Sequence, residues 1–278
     1  MCNVDLDDSD EAFEDNDFSN NFDPLVDTPW SSDDEDGDKD DQEDEVNLVE
    51  LYVSDLLVEE KSENALNMLW NLVCGKNENS KAREQFAKSK DGADALVKAM
   101  RDHGLSEDLQ WKCNSLIIGL SFRQTANKVA LNEAGAPNAV CESMKRFKFQ
   151  EKIQQSGCGA VRNLSSLKTH QQYVVEAGGI EAVVAAMSNF PEAARLQKCA
   201  CDSLYNFANT VDFNRRLIIK KGGCVALAET QLLFESKTES LDREVYAAAT
   251  DALKVLNTPP SSKNEKIKKP NGPVIKLR

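Results

Sequence analysis

Acid–base or metal chemistry in this chain would have to come from eight cysteines and two histidines set among 47 Asp/Glu and 33 Lys/Arg. The histidines, His103 and His170, stand beside no recurring carboxylate or cysteine, and no CxxC pair occurs. A proton relay or a zinc site therefore lacks the spacing it needs. Cys113, Cys158, Cys199, Cys201 and Cys224 fall where any small apolar residue would serve, and reduced cysteine acting as a buried hydrophobe accounts for them. That usage fits a cytosolic, and possible nuclear, setting rather than an oxidising one. The stretch SGCGAVRN (156–163) is rich in glycine, but neither GxGxxG at a strand-to-helix turn nor a GxxxxGK phosphate loop is present. The sequence thus predicts no enzyme, no cofactor and no metal. What is left is recognition chemistry, and its residues are organised by a repeat.

The repeat is spoken four times. KSKDGADALVKAM (88–100), LNEAGAPNAVCESM (131–144), VVEAGGIEAVVAAM (174–187) and IIKKGGCVALAET (218–230) carry Gly92, Gly135, Gly178 and Gly222, at steps of 43, 43 and 44 residues. A second phrase runs in phase: LWNLV (69–73), IIGLS (117–121), VRNLS (161–165) and LYNFA (204–208). A period in the low forties with helix-forming residues throughout predicts a stacked-helix solenoid, in which no unit buries its apolar face alone.

Each unit is expected to hold a short helix (82–90, 125–134, 169–177, 212–220) and a glycine-marked bend. A second helix follows (93–102, 136–147, 179–189, 223–235), then a longer third one (107–122, 151–166, 192–209, 240–256). Ahead of these, 46–60 reads as one amphipathic capping helix and 63–73 as a leading third helix. Pro259-Pro260 ends the pattern.

Charge divides the chain in the same way. Residues 1–45 hold 20 Asp/Glu against one Lys, residues 46–258 are neutral overall, and residues 259–278 carry a net of +5. The expected organisation is a disordered acidic tail (1–45), a solenoid (46–258) and a basic flexible tail (259–278). No run of about 18 apolar residues is present, so no transmembrane helix is expected. Ser31 and Ser32 precede Asp33, Asp34, Glu35 and Asp36, a pattern suited to an acidophilic kinase. Phe13, Phe18, Phe22, Leu25, Val26 and Trp30 stand among the carboxylates as short apolar anchors.

The three-helix unit resembles the armadillo repeat. The resemblance rests on AGA (134–136), AGG (177–179) and KGG (221–223), on the LWNLV, VRNLS and LYNFA phrases, and on Gln110, Gln154 and Gln197, each nine residues before the Gly119, Asn163 and Asn206 positions. It covers about 63–257 and implies an all-α, right-handed solenoid whose third helices line a concave groove. It also implies that Asn71, Asn163 and Asn206 face that groove, where an amide can clamp the backbone of an extended peptide. The pattern departs at Gly119 and Val255, which interrupt the Asn row. It departs again one turn earlier, where Asn67, Ser115, Gly159, Asp202 and Asp251 stand in place of tryptophan.

The implied function is a non-enzymatic adaptor or scaffold, monomeric, that binds a protein segment; no small-molecule substrate is expected, and neither nucleic acid nor membrane is an expected partner. The expected groove residues are Asn67, Asn71, Ser115, Asn163, Asp202, Asn206 and Asp251. Asp202 and Asp251 predict a negative C-terminal half and hence a partner segment with some basic residues, for which residues 261–278 are an intramolecular candidate. An exchange-factor-like cofactor of a small GTPase or of a chaperone, and a nuclear transport adaptor, remain the alternatives.

Overall fold

The computed structural model describes residues 47–75 and 80–258, and among these it contains fourteen α-helices, one 3-10 turn and no strand. The acidic segment with Ser31 and Ser32, and residues 259–278, lie outside the described residues. Two helices, α1 (Leu48–Leu56) and α2 (Glu59–Cys74), lead the array. The first unit is α3 (Ser80–Lys88), α4 (Gly92–Asp102) and α5 (Glu107–Ser121). The second is α6 (Thr125–Glu133), α7 (Ala136–Arg146) and α8 (Glu151–Leu164). In the third, a 3-10 turn (Lys168–His170) leads into α9 (Gln171–Glu176), followed by α10 (Gly179–Asn189) and α11 (Ala194–Ala208). The fourth is α12 (Asp212–Lys220), α13 (Gly223–Phe234) and α14 (Ser240–Asn257).

The expected single helix over 46–60 is two pieces. Asn47 caps α1 by accepting from Glu50 N–H at 3.3 Å. Val49, Val53 and Leu56 form one buried stripe, but the next buried positions, Ser62, Ala65, Leu66 and Leu69, are out of phase with it. Continuing α1 unbroken would bury Glu59 and Glu60, so the chain turns at Leu57-Val58 and starts again.

The bends also differ from expectation at one of four places. Gly135, Gly178 and Gly222 are helix N-caps with φ of 85°, 86° and 82°, left-handed backbone that side chains resist. Gly92 is instead the first residue of α4, after Asp91 at φ −113°. Its structural equivalents are Ala136, Gly179 and Gly223, so the first bend is made without a glycine.

Glutamine joins the second helix of each unit to the third. Gln110 Nε2 donates to the Met100 and His103 carbonyls at 2.6 and 3.2 Å. Gln154 does the same to Met144 and Phe147, at 2.8 and 3.0 Å. Gln197 repeats it on Met187 and Phe190, both at 2.9 Å. All three glutamines are buried. Each satisfies carbonyls that the end of the second helix leaves without an intrahelical partner. One continuous apolar core runs from Val49 to Leu256 through every unit. The third helices α2, α5, α8, α11 and α14 pack successively on one another and form one layer of it.

Candidate functional site

Stacking the third helices in register leaves their remaining sides as a strip that crosses every unit. On α2 it presents Asn67, Trp70 and Asn71, on α5 Trp111, Lys112 and Ser115, and on α8 Lys152 and Gln155. On α11 it presents Lys198, Asp202, Tyr205 and Asn206, and on α14 Tyr246, Thr250 and Asp251. These positions recur at i, i+3, i+4, so each helix shows one face.

The anticipated Asn row is not one exposed line. Asn71 is exposed. Asn163 is 8% exposed, and its Nδ2 donates to the Ile118 carbonyl at 3.2 Å and to Ser121 Oγ at 3.1 Å. Its Oδ1 accepts from the Arg162 guanidinium. Half-buried Asn206 donates to the Arg162 carbonyl at 3.3 Å. Both amides thus bond the preceding third helix, a job of stacking. The interruption at Gly119 has a steric cause, since a Cβ there would meet Cys74 Sγ and Val73 Cγ1, each at 3.0 Å. Gly159 is likewise a close-approach point, because a Cβ would lie 2.8 Å from Ile118 Cδ1.

The acidic positions are neutralised within the fold, which corrects the expected negative field. Asp202 accepts from Lys198 Nζ at 2.8 and 3.0 Å and lies 3.9 Å from Arg162 Nη1. Asp251 pairs with Lys254 at 2.9 Å. Ser115 turns its hydroxyl back to the Trp111 carbonyl at 3.0 Å. Asn67 accepts from Lys112 Nζ at 2.6 Å, and Lys112 also pairs with Asp108.

Reading the Asn−4 positions alone missed the aromatic part of the strip. Trp70 and Trp111, on adjacent third helices, bring their ring centroids to 5.3 Å with the planes tilted by 51°. Lys152, from the next helix, sets its ammonium 3.4 Å from the Trp111 ring centroid, a cation–π contact. The signal was present: Trp70 follows Asn67 by three residues, and Trp111 precedes Ser115 by four. Three consecutive third helices therefore share one half-buried aromatic patch, with Lys112 and Lys152 at its side.

Burial pushes the Cys113 thiol up to about 12. Burial, with help from Glu181 and Glu142, does the same to Cys141. Burial also raises Cys158, Cys199 and Cys201. Thiols so held are poor nucleophiles. Among the described residues there is no cluster of three metal-ligating side chains, and no helix is long and apolar enough to cross a membrane.

No protein-family model and no curated protein matches the chain. Solved structures do resemble it. A crystal structure of an engineered protein is 21% identical over 76% of this chain with a TM-score of 0.60, and the chain spans 48% of that protein. A second engineered protein is 19% identical over 75% of this chain and 96% of its own, with a TM-score of 0.55. A designed armadillo repeat protein in complex with the peptide (KR)4 is 17% identical over 74% of this chain and 99% of its own, with a TM-score of 0.47. With its three-helix units, left-handed glycine bends and layered third helices, the fold is an armadillo-type helical solenoid.

Proposed function

We propose that the chain is a protein-interaction module which holds an extended partner segment across its third-helix strip. The observation that carries this reading is the patch of Trp70, Trp111 and Lys152, which spans three helices and is only partly covered. Half-buried indoles give an anchor residue a large apolar contact at small entropic cost, and residues of this kind dominate interface energetics. The exposed amide of Asn71 stands beside the patch and can meet a main-chain group of the segment. One such bond contributes about 0.5–1.5 kcal/mol, so the anchor rather than the amide row supplies most of the affinity.

The cations beside the patch also revise the expected ligand chemistry. Asp202, Asp251 and Lys112 each have an ion-pair partner, whereas Lys152 sets its ammonium over the Trp111 ring. A segment with an apolar or aromatic anchor next to one or more carboxylates suits this surface better than a basic one. On this reading the module serves as an adaptor or scaffold.

The test is capture of partners by the full chain compared with a variant carrying Asn71→Ala and Lys152→Glu. Both positions are exposed, so the variant should remain folded. A partner held by the parent and lost by the variant, and eluted more readily by salt, supports the reading. Equal capture by both would place binding elsewhere on the molecule.

A further inference from the structure

The junction between the first and second units holds a part-open cavity of about 60 Å³, walled by residues of α4, α5 and α7 and of the turn between α4 and α5. Its polar lining is Arg101, Gln110, Glu142, Ser143 and Arg146, none of which belongs to the third-helix strip. That volume has room for about four water-sized positions, enough for a small polar group.

The cavity coincides with one register position. Thr230 on α13 follows Gln197 by 33 residues, and its Oγ1 bonds Gln197 Oε1 at 2.7 Å. Ser143 follows Gln110 by the same interval and is only 3% exposed, yet its hydroxyl has no hydrogen-bond partner among the described residues. In the third unit the position is Ala186, fully buried. A serine lacks the methyl group with which threonine fills this space. The hydroxyl is therefore left beside a cavity, and a buried donor without an acceptor costs free energy until one arrives.

Two guanidiniums line the same cavity. Arg146 Nη1 donates to the Gly104 carbonyl at 2.7 Å. The bare backbone of Gly104 permits this, since a Cβ there would lie 2.8 Å from Arg146 Nη1. One unit on, Asn189 makes the same bond to the Lys148 carbonyl at 3.1 Å, so joining the units needs a donor but no charge. Arg101 reaches over α7, with Nη2 3.2 Å from where a Gly135 Cβ would sit. Among the described residues neither Arg101 nor Arg146 forms an ion pair. Glu142 is the one carboxylate on the walls, so two guanidiniums against one carboxylate leave a surplus of one positive charge.

We propose that this cavity binds a carboxylate, with Arg101 and Arg146 pairing its oxygens and the Ser143 hydroxyl donating to one of them. A guanidinium presents paired N–H groups that match a carboxylate. Glu142 sets the choice among anions, because it repels the second charge of a phosphate dianion and tolerates a monoanion. An acidic side chain of a protein partner and a free small acid present the same group.

The experiment follows the arginine Nε–H and backbone amide signals of the isotope-labelled full chain by NMR. Acetate, N-acetylglutamate amide, inorganic phosphate or sodium chloride is added at constant ionic strength and about pH 8, where phosphate is mainly a dianion. Acetate should shift the Arg101, Arg146 and Ser143 signals saturably, and phosphate should bind more weakly. Ser143→Ala reproduces the residue found at this position one unit on, so it should stay folded and weaken acetate binding roughly five-fold. Arg101→Gln, at an exposed position, should weaken it roughly ten-fold. Arg216→Gln, equally exposed on α12, should leave it unchanged. Binding of N-acetylglutamate amide as well as acetate assigns the site to an acidic side chain of a partner, and binding of acetate alone assigns it to a free small acid. Equal shifts with sodium chloride, equal weakening by Arg216→Gln, or unchanged binding in Ser143→Ala overturns the proposal. Tighter binding of phosphate than of acetate overturns it as well.

Discussion

At the scale of single residues, asparagines that look alike in the sequence do different work. Asn163 is buried and holds α8 to the Ile118 and Ser121 groups of α5, so Asn163→Ala leaves those acceptors short of a donor. The expected loss is about 1–3 kcal/mol in urea denaturation. Asn71→Ala, at an exposed position, should shift stability by no more than about 0.5 kcal/mol and act only on partner binding. A variant lacking both Asn163 and Asn206 amides would therefore mix lost stability with lost affinity. The thiols give a second prediction at this scale. Burial lifts Cys113 and Cys141 to about 12 from an ordinary 9.0. The unfolded chain releases these protons first, so their stabilising contribution is intact below pH 9 and is lost as pH rises from 9 toward 12. In reductant the urea midpoint should fall from pH 9 upward, and a midpoint that rises there would contradict the assignment.

At the scale of elements, the bends and the glutamines make each unit rigid. Gly222 has φ +82° and open space where a Cβ would sit, so Gly222→Ala carries only the backbone cost, about 1–2 kcal/mol. The neighbouring Gly223 has ordinary φ, but a Cβ would meet Ile218 Cγ2 at 2.5 Å and the Ile218 carbonyl at 3.1 Å. Gly223→Ala should therefore force α12 and α13 apart and show altered exchange in both helices, whereas Gly222→Ala should not. Gln197 carries three bonds, to the Met187 and Phe190 carbonyls and from Thr230 Oγ1 at 2.7 Å. Gln197→Leu takes the side-chain donor from the Met187 and Phe190 carbonyls, while Thr230 Oγ1 keeps the Ala226 carbonyl at 2.9 Å, with an expected loss of about 1–3 kcal/mol by thermal or urea melts. An unchanged melt would mean that water replaces the amide.

At the scale of the molecule, each unit touches chiefly its neighbours, so stability should be graded along the array. Amide exchange should be slowest in α5, α8 and α11, which have third helices on both sides. It should be fastest in α1, at the leading end, when measured on the full chain. A uniform exchange rate across all helices would show that the array unfolds as a single block. The same linearity separates the aromatic patch from the end of the array, since three helices, α9, α10 and α11, lie between α8, which carries Lys152, and α12 in chain order. Substitutions in α12 or α13 should leave the patch intact.

The sequence by itself determined the period, the all-helical character and nearly every helix boundary, because apolar spacing and glycine placement are local properties. It also carried the glutamine positions, whose bonds reach only seven and ten residues back. Three matters were decided only by the tertiary structure. The first bend needs no glycine, since Asp91 turns the chain in ordinary backbone and Gly92 serves close packing against Phe86. Asn163 and Asn206 are spent on stacking, and Asp202 and Asp251 are paired. The Trp70–Trp111–Lys152 patch exists because residues about 41 apart in sequence are brought onto adjacent helices. A period tells which residues share a face, but the partner each side chain meets depends on the offset between stacked helices. That offset is set by how closely α2, α5 and α8 approach at Gly119 and Gly159.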